Sequence, residues 1–224
     1  MTPFISTSSH ALDAARPTSR LLALGGVLGP LVFFSVFTIA GLLTPGYSPW
    51  REPISNLGAE GPSRWIQNGN FVLSGLLLIA FALGFWQTMG AVLAKQRLIA
   101  STILLLLTGT GLAVASVFPT DLPGFPPVDL HGAVHVSLFF LVFGSLFATL
   151  LLVGGPLRKN ALWRTIGWYT TLTAVLMPVG MVILFALSDS PVGGLVQRLF
   201  ELLPFAWYVV LGLRLATRPA LSPP

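Results

Sequence analysis

Residues 130–157 read LHGAVHVSLFFLVFGSLFATLLLVGGPL, a run of 28 positions without a single Asp, Glu, Lys or Arg. An α-helix needs about 20 mainly apolar residues to cross the hydrocarbon core of a bilayer, which is about 30 Å thick. The run is longer than that and continuous, whereas a strand of a membrane barrel alternates over about 10 residues. It therefore predicts a membrane-spanning α-helix.

The rest of the chain repeats this pattern. With 54% hydrophobic residues, 8% charged residues and a mean hydropathy of +0.84, the composition excludes a soluble domain, which carries about 25% charged residues. We predict an all-α polytopic bundle of six transmembrane helices. The other charge-free stretches are 21–50, 65–94, 98–120 and 165–188, together with the shorter 202–213. The predicted spans are 22–43, 67–90, 98–118, 130–153, 162–187 and 195–216.

The spans leave room for one membrane domain, predicted over 21–217. Residues 1–20 are predicted to be a disordered cytoplasmic tail and residues 218–224 a second cytoplasmic tail. The first apolar segment is longer than the core of a cleaved signal peptide, which is about 7–15 residues, so we interpret it as a span. The absence of cysteine excludes disulfides and thiolate metal sites.

Basic residues are distributed unevenly between the loops. Nine of the 12 Lys and Arg residues flank one side of the predicted spans, and the other side holds Arg51, Arg64 and Arg198. The positive-inside rule places the nine, and both termini, in the cytoplasm of a plasma-membrane protein. The outer loops are then 44–66, 119–129 and 188–194. The net charge of +5 reflects this topology, so the lipid bilayer is the expected partner, nucleic acid is not, and no protein partner is indicated.

Aromatic and small residues add two further predictions. Trp50 and Trp65 fit an outer aromatic belt, and Trp86, Trp163 and Trp168 fit an inner one. The small-residue patterns at 25–29 and 80–84 predict close packing between helices inside one bundle, and a dimer interface is the alternative.

The sixth span is short of apolar residues, because 202–213 covers only about 18 Å at 1.5 Å per residue. To cross the bilayer it must include Gln197, Arg198 and Glu201 at its outer end. Arg198 and Glu201 are three apart and can pair on one face. Ionisable groups inside spans usually face a partner or a wet cavity. The alternative is that Arg198 simply extends outwards to the interface and Glu201 pairs with it there.

Two histidines open the fourth span. Asp129 is a suitable N-cap, and His131 and His135 lie four apart on one helix face. With Asp121 they could hold one divalent metal, and zinc suits this ligand set. The alternatives are a pair of interfacial histidines bonded to Asp121, Glu201 or the first outer loop, or groups that handle protons or anions.

The first outer loop supplies the last polar group. Ser55 and Asn56 could reach into a cavity, although a turn role is the alternative. Gln67, Asn68 and Asn70 add an amide cluster at the same membrane face. These groups share the outer face, so the sequence predicts an outward-facing polar pocket. Its predicted members are Ser55, Asn56, Asp121, His131, His135, Gln197, Arg198 and Glu201.

Five short motifs together resemble one protein family. They are GLLTPGYSP at 41–49, ISNLG at 54–58, FPTD at 118–121, HGxxH at 131–135 and GLVQR at 194–198. This combination is similar to the domain-of-unknown-function-998 (DUF998) membrane proteins of bacteria and archaea, with a looser likeness to the Frag1/DRAM/Sfk1 proteins. The resemblance implies a six-helix integral membrane protein and no particular activity.

A fainter likeness is to membrane hydrolases of the alkaline ceramidase and progestin-receptor type. Those enzymes use a Ser, an Asp and three His around zinc. Ser55, Asp121, His131 and His135 correspond to part of that set. The third histidine is missing from the spans, so a carboxylate such as Glu201 or Asp129 would have to replace it.

Three functions therefore stay open. The favoured hypothesis is a module that binds a lipid, a small molecule or a partner protein in the outer pocket. The alternative is a metal-dependent lipid hydrolase that uses Asp121, His131 and His135, with Ser55 and Glu201 as the candidate catalytic residues. A transporter is the second alternative. Whether the protein is an enzyme is left open by the sequence.

Overall fold

A computed structural model describes residues 17–122 and 128–217. In these ranges the chain forms seven α-helices, two short 3-10 helices and no strand. The 3-10 helices cover Ile54–Gly58 and Ala115–Val117. The α-helices are α1 (Pro17–Ala23), α2 (Gly25–Leu42), α3 (Arg64–Met89), α4 (Lys95–Val114), α5 (Leu130–Lys159), α6 (Arg164–Ala186) and α7 (Gly193–Thr217).

The helices make six segments that are long and apolar enough to cross a membrane. Helices α1 and α2 count as one of these, because hydrogen bonds continue across the break. The Leu24 amide donates to the Arg20 carbonyl at 3.2 Å, and the Leu28 amide donates to the Leu24 carbonyl at 2.8 Å. The predicted all-α, six-span membrane protein is confirmed.

The helix ends differ from the predicted spans. The first span begins at Pro17, so the predicted disordered tail 1–20 was too long by its last four residues, and residues 1–16 lie outside the described part. Helix α4 begins at Lys95 and α5 continues through Pro156 to Lys159. Long basic side chains can extend to water from a helix that is still in the interface, so charge-free length underestimates helix length. Residues 123–127 and the predicted tail 218–224 also lie outside the described residues.

The six spans form a closed ring in which each contacts the next along the chain. Helix α7 closes the ring by packing on α6 and on α2. The hydrophobic core draws on all six spans, and its largest fully buried side chains include Phe81, Trp207 and Tyr208. The Trp207 indole donates to the Thr170 hydroxyl at 2.9 Å, which joins α7 to α6 inside the apolar interior.

The glycine patterns pack inside the bundle, as predicted. A Cβ atom on Gly25 would lie 2.1 Å from the Leu77 carbonyl oxygen, and one on Gly84 would lie 2.6 Å from the Ala23 amide nitrogen. Backbone approaches this close require glycine. They fix α1 and α2 against α3.

The outside of the ring carries many exposed large apolar side chains, as expected of a surface that faces lipid. Trp50, Trp65, Trp86 and Trp168 are among them, consistent with aromatic belts. The prediction for Trp163 was wrong. Its side chain is fully buried, with the Arg214 guanidinium carbon 5.7 Å from its ring centroid.

Candidate functional site

The first outer loop, residues 43–63, folds across one end of the ring, which we call the outer end. The Leu195 amide donates to the Trp50 carbonyl at 3.0 Å, so the loop is fixed to the start of α7. A Cβ atom on Gly194 would lie 2.4 Å from the Glu52 carbonyl oxygen. Only glycine lets the loop and the helix come this close, and the loop is an ordered cap on α7.

Arg198 attaches this cap to α7. Its guanidinium donates to the Glu52 carbonyl at 3.0 Å, to the Gly194 carbonyl at 2.8 Å and to the Tyr47 hydroxyl. The guanidinium carbon also lies 5.4 Å from the centroid of the Phe37 ring and 5.7 Å from that of Tyr47. The predicted pairing of Arg198 with Glu201 was therefore wrong, because the loop provides the arginine with nearer acceptors.

Tyr47 is the loop residue at the centre of this attachment. Its hydroxyl lies 3.1 Å from the Pro53 carbonyl and 3.2 Å from the Glu52 carbonyl, so its single proton is shared between them. Burial raises the pKa of Tyr47, and the neighbouring Arg198 opposes this only in part. The neutral hydroxyl therefore accepts from Arg198 while donating to the loop. Sequence reasoning missed this residue.

A large cavity lies under the cap, and we call it the vestibule. Its volume is about 790 Å³. All three outer loops and the outer ends of α5, α6 and α7 form its walls. Its lining residues are Arg51, Glu52, Pro53, Ser55, Asn56, Thr120, Leu122, His135, Val136, Phe139, Leu184, Phe185, Ser188, Asp189, Ser190, Pro191, Gly193 and Gln197.

A smaller cavity of about 50 Å³ lies deeper in the ring, and we call it the chamber. Vestibule and chamber share Ser55, His135, Phe139 and Gln197, so these four residues stand where the two cavities meet. The rest of the chamber wall is apolar except for Glu201. Its other lining residues are Phe33, Ile54, Phe71, Leu112, Ala115, Leu138, Val142, Phe143 and Phe205.

Glu201 is the polar end of the chamber. Its side chain is 5% exposed, and Oε1 accepts from the Gln197 amide at 3.0 Å. Gln197 in turn accepts from the Ile54 amide at 2.8 Å, which links the carboxyl group to the cap. Oε2 has no hydrogen-bond partner among residues 17–122 and 128–217. A buried carboxyl oxygen without a partner is costly, so the site favours a ligand that can donate to it.

His135 stands between the cavities in a fixed tautomer. Its Nδ1 lies 2.7 Å from the Phe118 carbonyl oxygen. A carbonyl can only accept, so Nδ1 carries the proton. In the neutral ring Nε2 is then an acceptor.

Asp121 and His131 line neither cavity. Asp121 Oδ2 accepts from the backbone amides of Val128 at 2.6 Å and Asp129 at 3.3 Å. His131 is exposed and lies against Phe118, with 5.9 Å between the ring centroids. In the described part of the chain, no three His, Cys, Asp or Glu side chains form a group that could hold a metal ion. The predicted set of Asp121, His131 and His135 is thus not assembled around one point.

The predicted amide cluster stabilises the outer end of α3. The Asn70 side-chain amide donates to the Phe33 carbonyl at 3.0 Å, and the Ser74 hydroxyl donates to Asn70 at 3.1 Å. Asn68 donates to the Gly58 carbonyl at 3.1 Å and so holds the cap. These contacts stabilise the fold, and Gln67, Asn68 and Asn70 line neither the vestibule nor the chamber.

Asp129 is the N-cap of α5, as predicted, and it should make stability depend on pH. Its carboxylate accepts from the Gly132 amide at 2.9 Å, and this bond lowers the pKa of Asp129 from its ordinary 3.8. The capping contribution is therefore complete above pH 3.8 and is lost as the pH falls through the lowered value. We expect wild type to lose more thermal stability than Asp129→Asn between pH 7 and pH 3, because asparagine caps without titrating.

Thermal unfolding of both proteins at each pH measures this difference. Equal losses in wild type and Asp129→Asn would mean that the cap does not titrate in this range. Asp189→Asn serves as a control, because Asp189 is exposed and caps no α-helix.

The family model described as a protein of unknown function (DUF998) matches residues 27–214. The chain belongs to the DUF998 family. No curated protein and no solved structure matches it. The predicted resemblance is confirmed, and the match covers the cap, both cavities and Arg198. The family description assigns no activity.

Proposed function

We propose that this DUF998 protein is a membrane binding protein that holds a small molecule or a lipid headgroup at its outer end. The observation that carries the proposal is the pair of neighbouring cavities, which share four lining residues and extend from the loops to a buried carboxyl group whose Oε2 has no partner in the described residues. Ligand sites are typically preformed concave cavities of about 300–1,000 Å³ with a few polar groups. The vestibule, at about 790 Å³, lies in this range.

The fixed cap supports a preformed site. The loop 43–63 is held by Arg198, by Gln197 and by the Leu195 amide, so the vestibule wall does not have to be ordered when a ligand arrives. A site that is already ordered avoids much of the entropic cost of binding.

The polar groups suit binding better than catalysis. Ser55 and His135 line both cavities, but no hydrogen bond joins them in the described structure, and His135 Nδ1 is occupied by Phe118. An activated serine needs a base within hydrogen-bond reach. The carboxylate of Asp121 is bonded to backbone amides and is not directed to Ser55.

We also propose that the vestibule opens on the non-cytoplasmic side of the plasma membrane, with both chain ends in the cytoplasm. The distribution of basic residues supports this sidedness, because nine of 12 Lys and Arg flank the opposite end of the spans. Because the sequence contains no cysteine, Glu60→Cys in the cap should react with a membrane-impermeant maleimide added to intact cells, and Ala91→Cys between α3 and α4 should not. The opposite labelling pattern would contradict this sidedness.

Ser55→Phe tests the proposed binding function. Ser55 stands where vestibule and chamber meet, and a phenyl ring there should fill the passage. We expect native mass spectrometry of protein released from lipid nanodiscs to show a bound molecule on wild type and at least about tenfold less on Ser55→Phe, a change of about 1.4 kcal/mol.

Ser137→Phe is the matched control. Ser137 is exposed on α5 and lines neither cavity, so the same substitution there should leave the bound molecule in place. Equal occupancy of wild type and both variants would contradict the proposed site.

A further inference from the structure

We propose that the group which enters the chamber is an ammonium cation, presented by a ligand whose remaining part lies in the vestibule. This inference rests on the proposed function and specifies the ligand class of the same cavity. It depends on the charge, the wall chemistry and the size of the chamber.

The polar end of the chamber offers acceptors and an acidic group. Glu201 Oε2 is buried without a hydrogen-bond partner in the described residues, and Oε1 is held in place by Gln197 at 3.0 Å. An ammonium group donates up to three hydrogen bonds and accepts none. It therefore complements Oε2. Its charge favours the ionised form of the Glu201 carboxyl group, whose basic neighbour Arg198 is bonded to the Glu52 and Gly194 carbonyls and to the Tyr47 hydroxyl.

Phenylalanines make up half of the apolar chamber wall, five of its ten apolar residues. Phe139 and Phe143 have ring centroids 4.7 Å apart, and the rings of Phe33 and Phe205 are stacked at 4.8 Å. All four line the chamber. Phenyl faces attract cations, most strongly where water is excluded, whereas they repel anions. A carboxyl group in a chamber that is also lined by phenyl rings combines two kinds of group that attract organic ammonium ions.

The size of the chamber limits the ligand further. A volume of about 50 Å³ corresponds to about three to five water-sized positions, at about 10–15 Å³ each. An ammonium nitrogen with its nearest carbon atoms fits this space. A bare metal ion does not suit it, because the chamber offers one carboxyl group and mostly apolar walls, and metal sites need several oxygen or nitrogen ligands.

The ammonium group could belong to a free amine or to the headgroup of an aminophospholipid. The exposed Arg51 lines the vestibule and suits the phosphate of such a lipid. Asp189, also exposed in the vestibule, attracts either kind of cation. Both sources share the chemistry that Glu201 recognises, and the experiment separates them.

The first arm uses small probes on the full-length protein in nanodiscs of phosphatidylglycerol. Propylammonium and propan-1-ol have the same number of heavy atoms and differ in charge. We expect millimolar propylammonium to raise the melting temperature, read from tryptophan fluorescence, and propan-1-ol to leave it unchanged. Equal shifts of the melting temperature with both probes would overturn the inference. So would the absence of any shift in this arm combined with the absence of lipid enrichment in the second arm.

The second arm uses nanodiscs that contain equal amounts of phosphatidylethanolamine and phosphatidylglycerol. Enrichment of phosphatidylethanolamine on the protein, measured by native mass spectrometry, identifies the lipid as the source. Binding of propylammonium without lipid enrichment identifies a free amine. Either result supports the ammonium site.

Glu201→Gln connects the effect to the chamber. The amide keeps the shape of the side chain but removes its charge, so we expect the apparent affinity for propylammonium to fall about tenfold or more. Glu60→Gln makes the same substitution at an exposed residue of the cap that lines neither cavity, and it should change the affinity by less than about twofold. Equal effects in the two variants would mean that general electrostatic attraction, and not Glu201, recognises the probe.

Phe143→Leu provides an independent test if Glu201→Gln does not fold. It removes one ring of the chamber and keeps the carboxyl group, and we expect about threefold weaker binding of propylammonium. Unchanged binding in Phe143→Leu would contradict the aromatic part of the site. The proposed function and the ammonium inference can fail separately. If Ser55→Phe loses the bound molecule while propylammonium and propan-1-ol bind wild type equally well, the proposed function is supported and only the ammonium inference is contradicted.

Discussion

Replacing Arg198 by methionine should lower the free energy of unfolding by about 2–4 kcal/mol, because removing a charged donor leaves partly buried acceptors unsatisfied. The guanidinium holds the Glu52 carbonyl and the Tyr47 hydroxyl, and it lies over two aromatic rings. Methionine fills similar space and donates nothing. The loop 43–63 should then separate from α7 before the rest of the bundle unfolds.

Two measurements check this expectation. Thermal unfolding in nanodiscs gives the loss of stability, and hydrogen exchange at the Ile54 and Leu195 amides reports release of the cap, since both donate across the loop–helix contact. Arg198→Lys should retain only part of the stability, because an ammonium group cannot reach three acceptors in the geometry of a planar guanidinium.

Arg64→Met is the matched control. Arg64 lies at the same end of the bundle, over the exposed Trp65 ring at 5.3 Å, and surface contacts of this kind contribute little. We expect a change within about 0.5 kcal/mol. Similar losses in Arg198→Met and Arg64→Met would show that the cap does not depend on Arg198.

The spans could be predicted from the sequence because membrane insertion is decided locally. Each span must bury its own backbone polar groups and present an apolar surface, so charge-free length is itself the physical requirement. The helix ends were less predictable. Arg20, Lys95 and Lys159 lie within helices, since their long side chains extend to water while the backbone stays helical.

The candidate site could be predicted only in part. Ser55, Asn56, His135 and Gln197 do line the vestibule, and Glu201 lines the chamber. For His135, Gln197 and Glu201 the reason is that polar groups near the end of a span usually face a cavity or a partner. The position of these three residues along their helices was enough to predict that they face a cavity.

The partners of Arg198 and the positions of Asp121 and His131 could not be predicted. They depend on the path of the outer loops, which contain few periodic signals. Tyr47 reaches Arg198 across 151 positions of sequence. His131, although four residues from His135, lies in the first turn of α5 where the helix leaves the ring, and its side chain is exposed. Spacing along a helix shows which residues share a face and not whether that face is buried there.

Gly25→Val should have the second large effect, a loss of about 4 kcal/mol or failure to fold. A Cβ atom there would lie 2.1 Å from the Leu77 carbonyl oxygen and 2.9 Å from the Phe81 amide nitrogen. Both are backbone atoms, so no change of side-chain rotamer relieves the overlap. We therefore expect the loss of stability to exceed the usual 1–3 kcal/mol for overpacking. The first span and α3 would have to separate.

Gly144→Val makes the same substitution in α5 where a Cβ atom meets nothing within 4 Å, so we expect a change within about 0.5 kcal/mol. The pair also distinguishes the two interpretations of the small-residue pattern. If the face at 25–29 joined two copies of the chain, Gly25→Val would reduce the oligomer mass by size-exclusion chromatography with light scattering and leave the melting temperature of the monomer unchanged. Because Leu77 and Phe81 belong to the same chain, we expect the melting temperature to fall. The chamber should also open, because Phe33 lines it and the Phe33 carbonyl accepts a hydrogen bond from Asn70 on α3.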